Sequence, residues 1–493
     1  MSKEGKPVFR ILGVELNGIK DVNHGELVFQ ESKNYHKGDF SFSCPGILGI
    51  YGQNGSGKTS VIESFRLLKA LAKGQPIYQD SVFSFLVSRW LKDAKVIFTF
   101  AEESDLGHFL LRYSAHLSWK TPDDPALFFR GEGFSVSIFD SEKKRFIPFL
   151  PEVNVDFGNP DIKTAISSDK ELSLDSLFGS LAGKNPEALN NAMQVGTQKG
   201  VSQKLGVSFL FSDNFLSLLD HSQNSYANKL KTILNDLKTQ IGDKLFVYSV
   251  TDDAVGNLGV GELMGIGGDS STFKARPGVF LLPTSGPFPV TDDQFPIYSS
   301  LADQINVVLP AFVPNFKLEL KDLGPMVFPN GAKGRTVEAV SIVNGASIPL
   351  VAESNGIKKI VNICSAIIHM YNKRDVWVAI DEFDSGVFEY LFGQILEILG
   401  TSAKGQLIFT SHNMRPLEVL DHDDIFVSTA NPDDRYVKLV NVKTTNNVRD
   451  FYIRALQVGG QREKLYNETE ASEIALALRK GGHLLDEFNK KAS

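Results

Sequence analysis

The sequence has few of the residues that mark secreted or zinc-stabilised proteins. Its 493 residues include 2 cysteines, Cys44 and Cys364, too few for a disulfide framework or a cysteine zinc site, and we expect both thiols to be small apolar filler. The first residues lack the apolar core of a signal peptide. The longest mostly apolar run, residues 361–371, is interrupted by polar residues and falls short of the roughly 18 residues that a membrane span needs. We therefore expect a soluble, cytoplasmic protein with no membrane segment.

An excess of charge of one sign is also largely missing. The chain has 51 Lys and Arg residues against 58 Asp and Glu residues, which gives a formal net charge of −7. Proteins that coat nucleic acid need a cationic face for phosphate contacts, so this charge counts against a protein that coats DNA alone. The hydrophobic fraction of 42% and the charged fraction of 22% are typical of a globular protein with a large core.

An apolar strand near the N-terminus leads into a glycine-rich turn and then into an amphipathic helix. The predicted strand is 46–51, and the helical spacing of apolar residues covers 60–72. The turn fits the pattern G-x-x-x-x-G-K-[ST] with the residues Gly52, Gln53, Asn54, Gly55, Ser56, Gly57, Lys58 and Thr59, and Ser60 follows it. Glycines let backbone N–H groups point inward, and the helix adds its positive end. The segment therefore predicts a phosphate-binding loop, with Lys58 at the β- and γ-phosphates and Thr59 as a Mg²⁺ ligand.

Two further apolar strands end in polar residues. The first, 375–380, is followed by Asp381 and Glu382, at the edge where a parallel sheet presents its carboxyl ends. Asp381 is suited to hold Mg²⁺, and Glu382 is suited to polarise an attacking water. The second, 405–410, is followed by Ser411 and His412, which makes His412 a candidate for contact with a γ-phosphate. Taken alone, these acids and this histidine are also consistent with exposed residues at strand ends.

Together these segments resemble the nucleotide-binding domain of ABC-type ATPases, in the soluble branch that contains RecF, RecN and the SMC proteins. The resemblance covers residues 8–118 and about 312–445. It implies that the glycine-rich turn is the Walker A loop and that residues 376–382 are Walker B with Glu382 as the catalytic glutamate. Residues 383–386 would then be the D-loop, and His412 the switch histidine. Gln75 and Gln79 are candidates for the Q-loop glutamine by position only.

The family also needs a signature sequence that opens a helix shortly before Walker B. Residues 352–359 lie in that place, with Ser354 27 residues before Asp381, but they depart from the common LSGGQ form. Their shorter form, with Ser354 and Gly356 before a basic helix, resembles that of ATPases in bacterial anti-phage systems. Alone, this segment also fits an ordinary helix N-cap. The resemblance implies that Ser354 faces ATP bound to a second copy, in a head-to-tail dimer with two ATP molecules at an isologous interface.

The predicted fold is α/β: an ABC-type nucleotide-binding domain, a mixed sheet with a P-loop core, split by a mainly helical insertion. The order of the motifs places them in both ends of the chain. Helical spacing at 205–219 and 226–241 predicts helices in the insertion, and an amphipathic helix at 473–488 is suited to docking. The predicted divisions are an N-terminal half of the ATPase domain, 1–118, an insertion, 119–277, a C-terminal half, 278–445, and a helical segment, 446–493.

The motifs do not say what the ATPase drives. We find no nuclease signature and no membrane domain, which favours a partner in trans. The resemblance is to stand-alone ATPases of bacterial defence systems, such as PtuA of Septu with an HNH nuclease partner, or the PARIS ATPase with a TOPRIM-type nuclease partner. We therefore favour an anti-phage ATPase that senses a nucleic-acid or phage-protein trigger and regulates a nuclease encoded nearby. The alternatives are a RecF-like DNA-repair ATPase acting on DNA ends or gaps, and an ATP-dependent scaffold with little turnover.

Overall fold

The structure is a computed structural model, and its described residues fall into a series of ranges. They are 7–40, 42, 45–104, 107–121, 123–159, 166–168, 186–220, 225–249, 260–264, 279–283, 286–440, 442, 447–466 and 471–492. Cys44 lies outside them. Cys364 is buried, and this burial raises the pKa of its thiol to about 12, as expected for an inert apolar filler.

The first sheet is antiparallel and is built from the N-terminal part of the chain. Its strands are β1 (Val8–Ile19), β2 (Val22–Val28), β4 (Asp93–Ser104), β5 (Gly107–Thr121), β6 (Asp124–Asp140), β7 (Arg145–Phe146), β8 (Leu150–Asp156) and β9 (Ile166–Ser168). Their order is β2-β1-β4-β5-β6-β8-β9, and β7 pairs with β6. Buried aromatic and aliphatic residues of β1, β4 and β5 form much of its inner face.

This sheet extends beyond the predicted end of the N-terminal half. The boundary at residue 118 lies inside β5, and β6 and β8 continue the same sheet into the segment that was predicted as a mainly helical insertion. Glycines weaken the alternating pattern of β6 in the sequence. One of them, Gly131, is required by packing, because a Cβ there would lie 2.2 Å from the Val155 carbonyl oxygen.

The second sheet is mainly parallel and carries the predicted motifs. Its strands are β3 (Gly46–Tyr51), β10 (Leu245–Tyr248), β17 (Trp377–Ile380), β18 (Gln406–Ser411), β19 (Ile425–Ser428) and β20 (Tyr436–Val437). Their order is β10-β17-β18-β3-β19-β20, and only the β19–β20 pair is antiparallel. All residues of β3, β17 and β18 are buried, as the continuous apolar runs predict.

Two smaller sheets lie in the rest of the described chain. The strands β11 (Val260–Met264) and β12 (Val279–Pro283) pair with each other. A four-stranded sheet consists of β13 (Phe288–Thr291), β14 (Phe316–Val327), β15 (Lys333–Val343) and β16 (Ala346–Pro349).

The described residues form eleven α-helices, several of which pack on the two faces of the parallel sheet. They are α1 (Gln30–His36), α2 (Lys58–Ala72), α3 (Pro186–Leu205), α4 (Asp213–Asp220), α5 (Ser225–Lys244), α6 (Phe295–Phe312), α7 (Asn355–Asn372), α8 (Glu389–Ser402), α9 (Pro416–Val419), α10 (Val448–Val458) and α11 (Ala471–Ala492). None of the described helices combines the length and apolar composition that crossing a membrane requires.

The predicted helices are confirmed with one exception. The spacings at 60–72, 226–241 and 473–488 fall within α2, α5 and α11. The helix predicted at 205–219 is wrong, because α3 ends at Leu205 and α4 begins only at Asp213. Gly206 explains the break, since its φ of 67° is a left-handed conformation that ends helices.

Two hydrophobic cores lie on opposite faces of the parallel sheet. Leu48 and Ile50 of β3 join a core with α2 and the antiparallel sheet, whereas Ile47 and Tyr51 join a core with α6, α7 and α8. In the neighbouring strands β17 and β18, alternate residues likewise belong to the two cores. The sheet is thus fixed from both sides, which holds the carboxyl ends of its parallel strands rigidly.

Candidate nucleotide-binding site

The phosphate loop, Gly52–Thr59, connects β3 to α2 as predicted. Three of its glycines have positive φ values: 146° at Gly52, 74° at Gly55 and 80° at Gly57, the residue before α2. Side chains rarely tolerate this backbone. At Gly52 there is also no space, because a Cβ would lie 1.8 Å from the Ser428 hydroxyl oxygen. The loop therefore curls tightly against the beginning of α2, where free backbone N–H groups favour an anion.

Lys58 lies between this loop and the acids that follow β17. Its Nζ donates hydrogen bonds to the carbonyl oxygens of Gly52 at 2.9 Å and Gln53 at 2.8 Å. Burial lowers the pKa of Lys58, while the charges of Asp381, Glu382 and Asp384 act in the opposite direction. The Lys58 ammonium therefore lies inside the candidate site, within electrostatic range of both the phosphate loop and the acids that follow β17.

The hairpin β19–β20 contacts the phosphate loop through hydrogen bonds of two side chains. The hydroxyl of Ser428 donates to the Tyr51 carbonyl at 3.0 Å and lies 2.5 Å from the Ser56 hydroxyl. The hydroxyl of Tyr436 donates to the Gly57 carbonyl at 2.6 Å. Sequence reasoning missed Ser428 and Tyr436, since they lie more than 370 residues from the residues they contact and belong to no motif.

The buried carboxylate of Asp381 follows β17 at the same sheet edge. Thr410, at the end of the adjacent strand β18, donates from its Oγ1 to Asp381 Oδ1 at 2.5 Å. The backbone N–H of Asp381 donates to the Tyr248 carbonyl at 2.8 Å. Among the described residues, Asp381 Oδ2 is buried and has no hydrogen-bond partner. A buried carboxylate oxygen without a donor is costly, and coordination of a cation removes that cost.

Glu382 has an unusual backbone conformation for its residue type. Its φ is 46°, in the left-handed region that residues other than glycine rarely adopt. Two contacts hold it there. Its backbone N–H donates to Thr410 Oγ1 at 2.7 Å, and its carbonyl accepts a hydrogen bond from Lys359 Nζ of α7. Thr410 thus positions both acids, a role that no sequence motif indicated for Thr410 or Lys359. Strain of this kind is common where a side chain must be aimed at a reaction.

Asp384 connects the turn after Glu382 to His412. Its Oδ2 accepts hydrogen bonds from the backbone N–H groups of His412 at 3.2 Å and Asn413 at 2.9 Å. The His412 side chain is largely, but not fully, exposed. Partial burial of the ring and the positive charge of Lys58 lower the pKa of His412, against the nearby acids. A lowered pKa keeps the imidazole neutral near pH 7.

The predicted signature residues lie at the beginning of α7, where Gly356 packs against Gly386 in the turn that follows Glu382. Ser354 is the N-cap of α7, and its side chain accepts a hydrogen bond from the Ile357 N–H at 3.3 Å. A Cβ on Gly356 would lie 1.9 Å from the carbonyl oxygen of Gly386, so only glycine fits there. Ser354 itself is exposed. The N-cap geometry is therefore present, and a contact of Ser354 with ATP of a second copy stays a prediction.

The residues at this edge fit magnesium and nucleotide phosphates. Asp381 supplies a buried oxygen that receives no hydrogen bond from the described residues, and Thr59 lies in the first turn of α2 after the phosphate loop. Oxygen ligands of this type suit Mg²⁺, and the loop and Lys58 suit phosphate.

Comparison with known proteins identifies the family. Residues 47–418, about three quarters of the chain, match the family model described as "AAA domain, putative AbiEii toxin, Type IV TA system". The chain belongs to this family. No curated protein is similar enough to this AAA-domain chain to match it.

Solved structures with similar regions include two SMC heads and RecF. The SmcHead bound to the C-winged helix domain of ScpA has 12% identity and a TM-score of 0.40, covering 87% of this chain and 97% of that chain. RecF bound to ATP has 13% identity and a TM-score of 0.34, with coverage of 88% and 100%. The SMC head domain from Thermotoga maritima has 12% identity and a TM-score of 0.36, with coverage of 87% and 99%. Scores this low carry no conclusion about function.

Proposed function

We propose that this AAA-domain protein binds ATP with Mg²⁺ and hydrolyses it. The observation that carries the proposal is the buried Asp381 Oδ2, which has no hydrogen-bond partner in the part of the chain that the structure describes. It lies beside the strained Glu382, at the sheet edge where the phosphate loop also begins. Phosphate binding alone does not require two acids at this edge. A site that also holds a cation and directs a water does.

Each residue has a role that follows from its position. The loop N–H groups and Lys58 bind the β- and γ-phosphates, and Thr59 and Asp381 would hold Mg²⁺, which neutralises charge on the phosphates. Glu382 accepts a proton from the attacking water. The neutral ring of His412 donates a hydrogen bond to the γ-phosphate. Thr410 fixes the positions of Asp381 and Glu382 through its hydrogen bonds, so it is a positioning residue.

The exposed Ser354 supports an ATP-dependent pair of chains. In this proposal, Ser354 and the beginning of α7 contact the γ-phosphate of ATP held by a second copy, and the second copy returns the same contact. Loss of the γ-phosphate removes the contact and weakens the pair. The tight packing of Gly356 on Gly386 links this contact to the turn that carries Glu382 in the same chain.

Magnesium-dependent ATP hydrolysis by the purified chain tests the proposal. Lys58→Ala is expected to weaken ATP binding, and Asp381→Asn to abolish the effect of Mg²⁺ on binding and turnover. Asp375→Asn is the matched control, because Asp375 precedes β17 at the opposite end of the strand. Turnover that is independent of Mg²⁺, or equal in the Asp381 and Asp375 variants, would contradict the proposal.

We further propose that ATP turnover regulates a partner nuclease in anti-phage defence, with a nucleic-acid or phage-protein trigger. The family description names a toxin of a toxin–antitoxin system, which supports a role involving a second protein. Co-purification from the native operon, with mass measurement, tests for the partner. A co-purifying nuclease is the expected result. Hydrolysis stimulated by DNA with a steep salt dependence would instead favour a RecF-like repair ATPase, and retained intact ATP would favour a scaffold.

A further inference from the structure

The beginning of α7 lies directly against the turn that follows Glu382. The backbones of Gly356 and Gly386 meet there, and a Cβ on either glycine would collide with the backbone of the other. Lys359 lies three residues after Gly356, and residues at this spacing share one face of a helix. The Nζ of Lys359 donates a hydrogen bond to the Glu382 carbonyl oxygen. One face of α7 therefore contacts both ends of this turn.

The peptide group between Glu382 and Phe383 is held from several sides. The Phe383 N–H donates to the Thr410 carbonyl at 2.9 Å, and the Glu382 carbonyl also accepts from the Ser385 N–H at 2.9 Å. Thr410 belongs to the parallel sheet and Ser385 to the turn itself, so Lys359 adds a contact from a separate helix. A φ of 46° is unfavourable for glutamate, and these hydrogen bonds stabilise it. The bond from the charged ammonium is expected to be the strongest of them.

We infer that Lys359 is a positioning residue that couples the pairing of two chains to ATP hydrolysis. This role rests on the proposed function, in which Ser354, the N-cap of α7, contacts the γ-phosphate of ATP held by a second copy. That contact fixes the beginning of α7, and Lys359 on the same helix then holds the Glu382 carbonyl. A bound second copy therefore increases the population of the Glu382 conformation that aims its carboxylate at the attacking water.

The neighbouring Lys358 provides a matched comparison. Its Nζ donates to the Val351 carbonyl at 3.2 Å, on the chain segment that precedes α7. Both lysine side chains are half-buried. The two residues thus have the same charge and similar exposure, but they bind different carbonyl groups, and the printed contact of Lys359 is the one with the turn after Glu382.

Turnover of the full chain with Mg²⁺ and saturating ATP, measured over a range of protein concentrations, tests this role. Wild-type turnover per chain is expected to rise as pairs form. Lys359→Met is expected to keep its ATP affinity within about threefold and to pair with ATP in sedimentation, while its turnover in the paired state falls at least about tenfold. Lys358→Met is expected to stay within about twofold of wild type at every concentration.

The concentration dependence separates positioning from a folding defect. A partly unfolded variant would lose turnover by the same factor at every protein concentration, whereas a variant without coupling loses turnover only where pairs form. Lys359→Arg keeps the charge and the donor groups, so it is expected to recover part of the lost turnover. Melting temperatures of the two methionine variants are a further check that both are folded.

Three results would overturn the inference while leaving ATP hydrolysis standing. They are equal turnover of paired Lys359→Met and wild type, equal losses in the two methionine variants, and a wild-type turnover that does not depend on protein concentration. A loss in Lys359→Met that is the same at all concentrations would likewise contradict coupling. If wild type showed no Mg²⁺-dependent hydrolysis at all, the proposed function would fail first, and the role of Lys359 with it.

Discussion

The phosphate loop and the acidic edge, defined by Asp381, Glu382 and Asp384, meet at Lys58 but are held by different contacts. The loop is fixed by its own glycine backbone and by the distant hairpin β19–β20, through Ser428 and Tyr436. The acidic edge is fixed by Thr410 on the strand beside it.

This difference in contacts and chemistry assigns nucleotide binding to the phosphate loop and turnover to the acidic edge. The loop offers backbone N–H groups and one ammonium, which suit a bound anion. The acidic edge has a buried carboxylate oxygen without a described donor and a glutamate in a strained conformation, which suit a cation and an activated water. Substitutions in the loop should therefore change nucleotide affinity, and substitutions at the edge should change the rate.

The largest effect on affinity is expected for Gly52→Ala. Its Cβ would collide with the Ser428 hydroxyl, 1.8 Å away, and its φ of 146° does not suit alanine. ATP affinity, measured by calorimetry, is expected to fall at least about 100-fold. Gly55→Ala is the control: its φ of 74° is also unfavourable for alanine, but its Cβ would meet nothing within 4 Å, so it isolates the collision with Ser428 and is expected to lose less affinity. Equal losses in the two variants would show that the close approach of Ser428 does not matter.

Thr410→Val tests the acidic edge. Valine keeps the shape of the side chain but removes both the donor to Asp381 and the acceptor for the Glu382 N–H. Turnover is expected to fall about 10- to 100-fold, with ATP affinity nearly unchanged. Thr401→Val, at an exposed position on α8, is expected to leave the rate unchanged. A loss of ATP affinity without a loss of rate would contradict the assignment of turnover to the acidic edge and of affinity to the phosphate loop.

A smaller effect is expected for Tyr436→Phe, which removes the hydroxyl that donates to Gly57. Loss of one neutral hydrogen bond corresponds to about 0.5–1.5 kcal/mol, or roughly a two- to tenfold weaker affinity for ATP. The rate at saturating ATP should not change. Tyr452→Phe, another buried tyrosine but one in α10, provides the control. A changed rate with unchanged affinity would show that the hairpin acts on the acidic edge instead.

The smallest predicted effect concerns the electrostatic interaction between Lys58 of the phosphate loop and His412. The positive charge of Lys58 contributes to the lowered pKa of His412, after partial burial. Lys58→Met removes that charge, so the pKa of His412 is expected to rise, as measured by NMR titration of labelled histidine. An unchanged or lower pKa of His412 would contradict the proximity of the two groups.

The motifs of the sequence predict the strands, the phosphate loop and the acidic edge because these are local patterns. A curled glycine turn needs Gly52 and Gly57, and a buried parallel strand needs the apolar run before Asp381. The supporting contacts of Ser428, Tyr436 and Thr410 come from strands that the fold brings together. Nothing in their local sequence indicates these partners, so sequence reasoning could not find them.

The extent of the antiparallel sheet was also not predictable from local patterns. Strand β6 contains glycines that lower its apparent strand character, and the reason for Gly131 is the approach of Val155 on a later strand. Packing against a strand distant in sequence therefore stabilises β6 as a strand, and the local composition of β6 does not reveal that packing.

Turnover and ATP affinity of Glu382→Gln protein, measured in one preparation with Mg²⁺, test the central claim most directly. Glutamine keeps the size of the side chain but cannot accept the proton of the attacking water. ATP affinity is predicted to stay within about threefold of wild type, while turnover falls at least about 100-fold, which corresponds to about 2.7 kcal/mol in the barrier. Unimpaired turnover in the Glu382→Gln protein would contradict the assignment of this site.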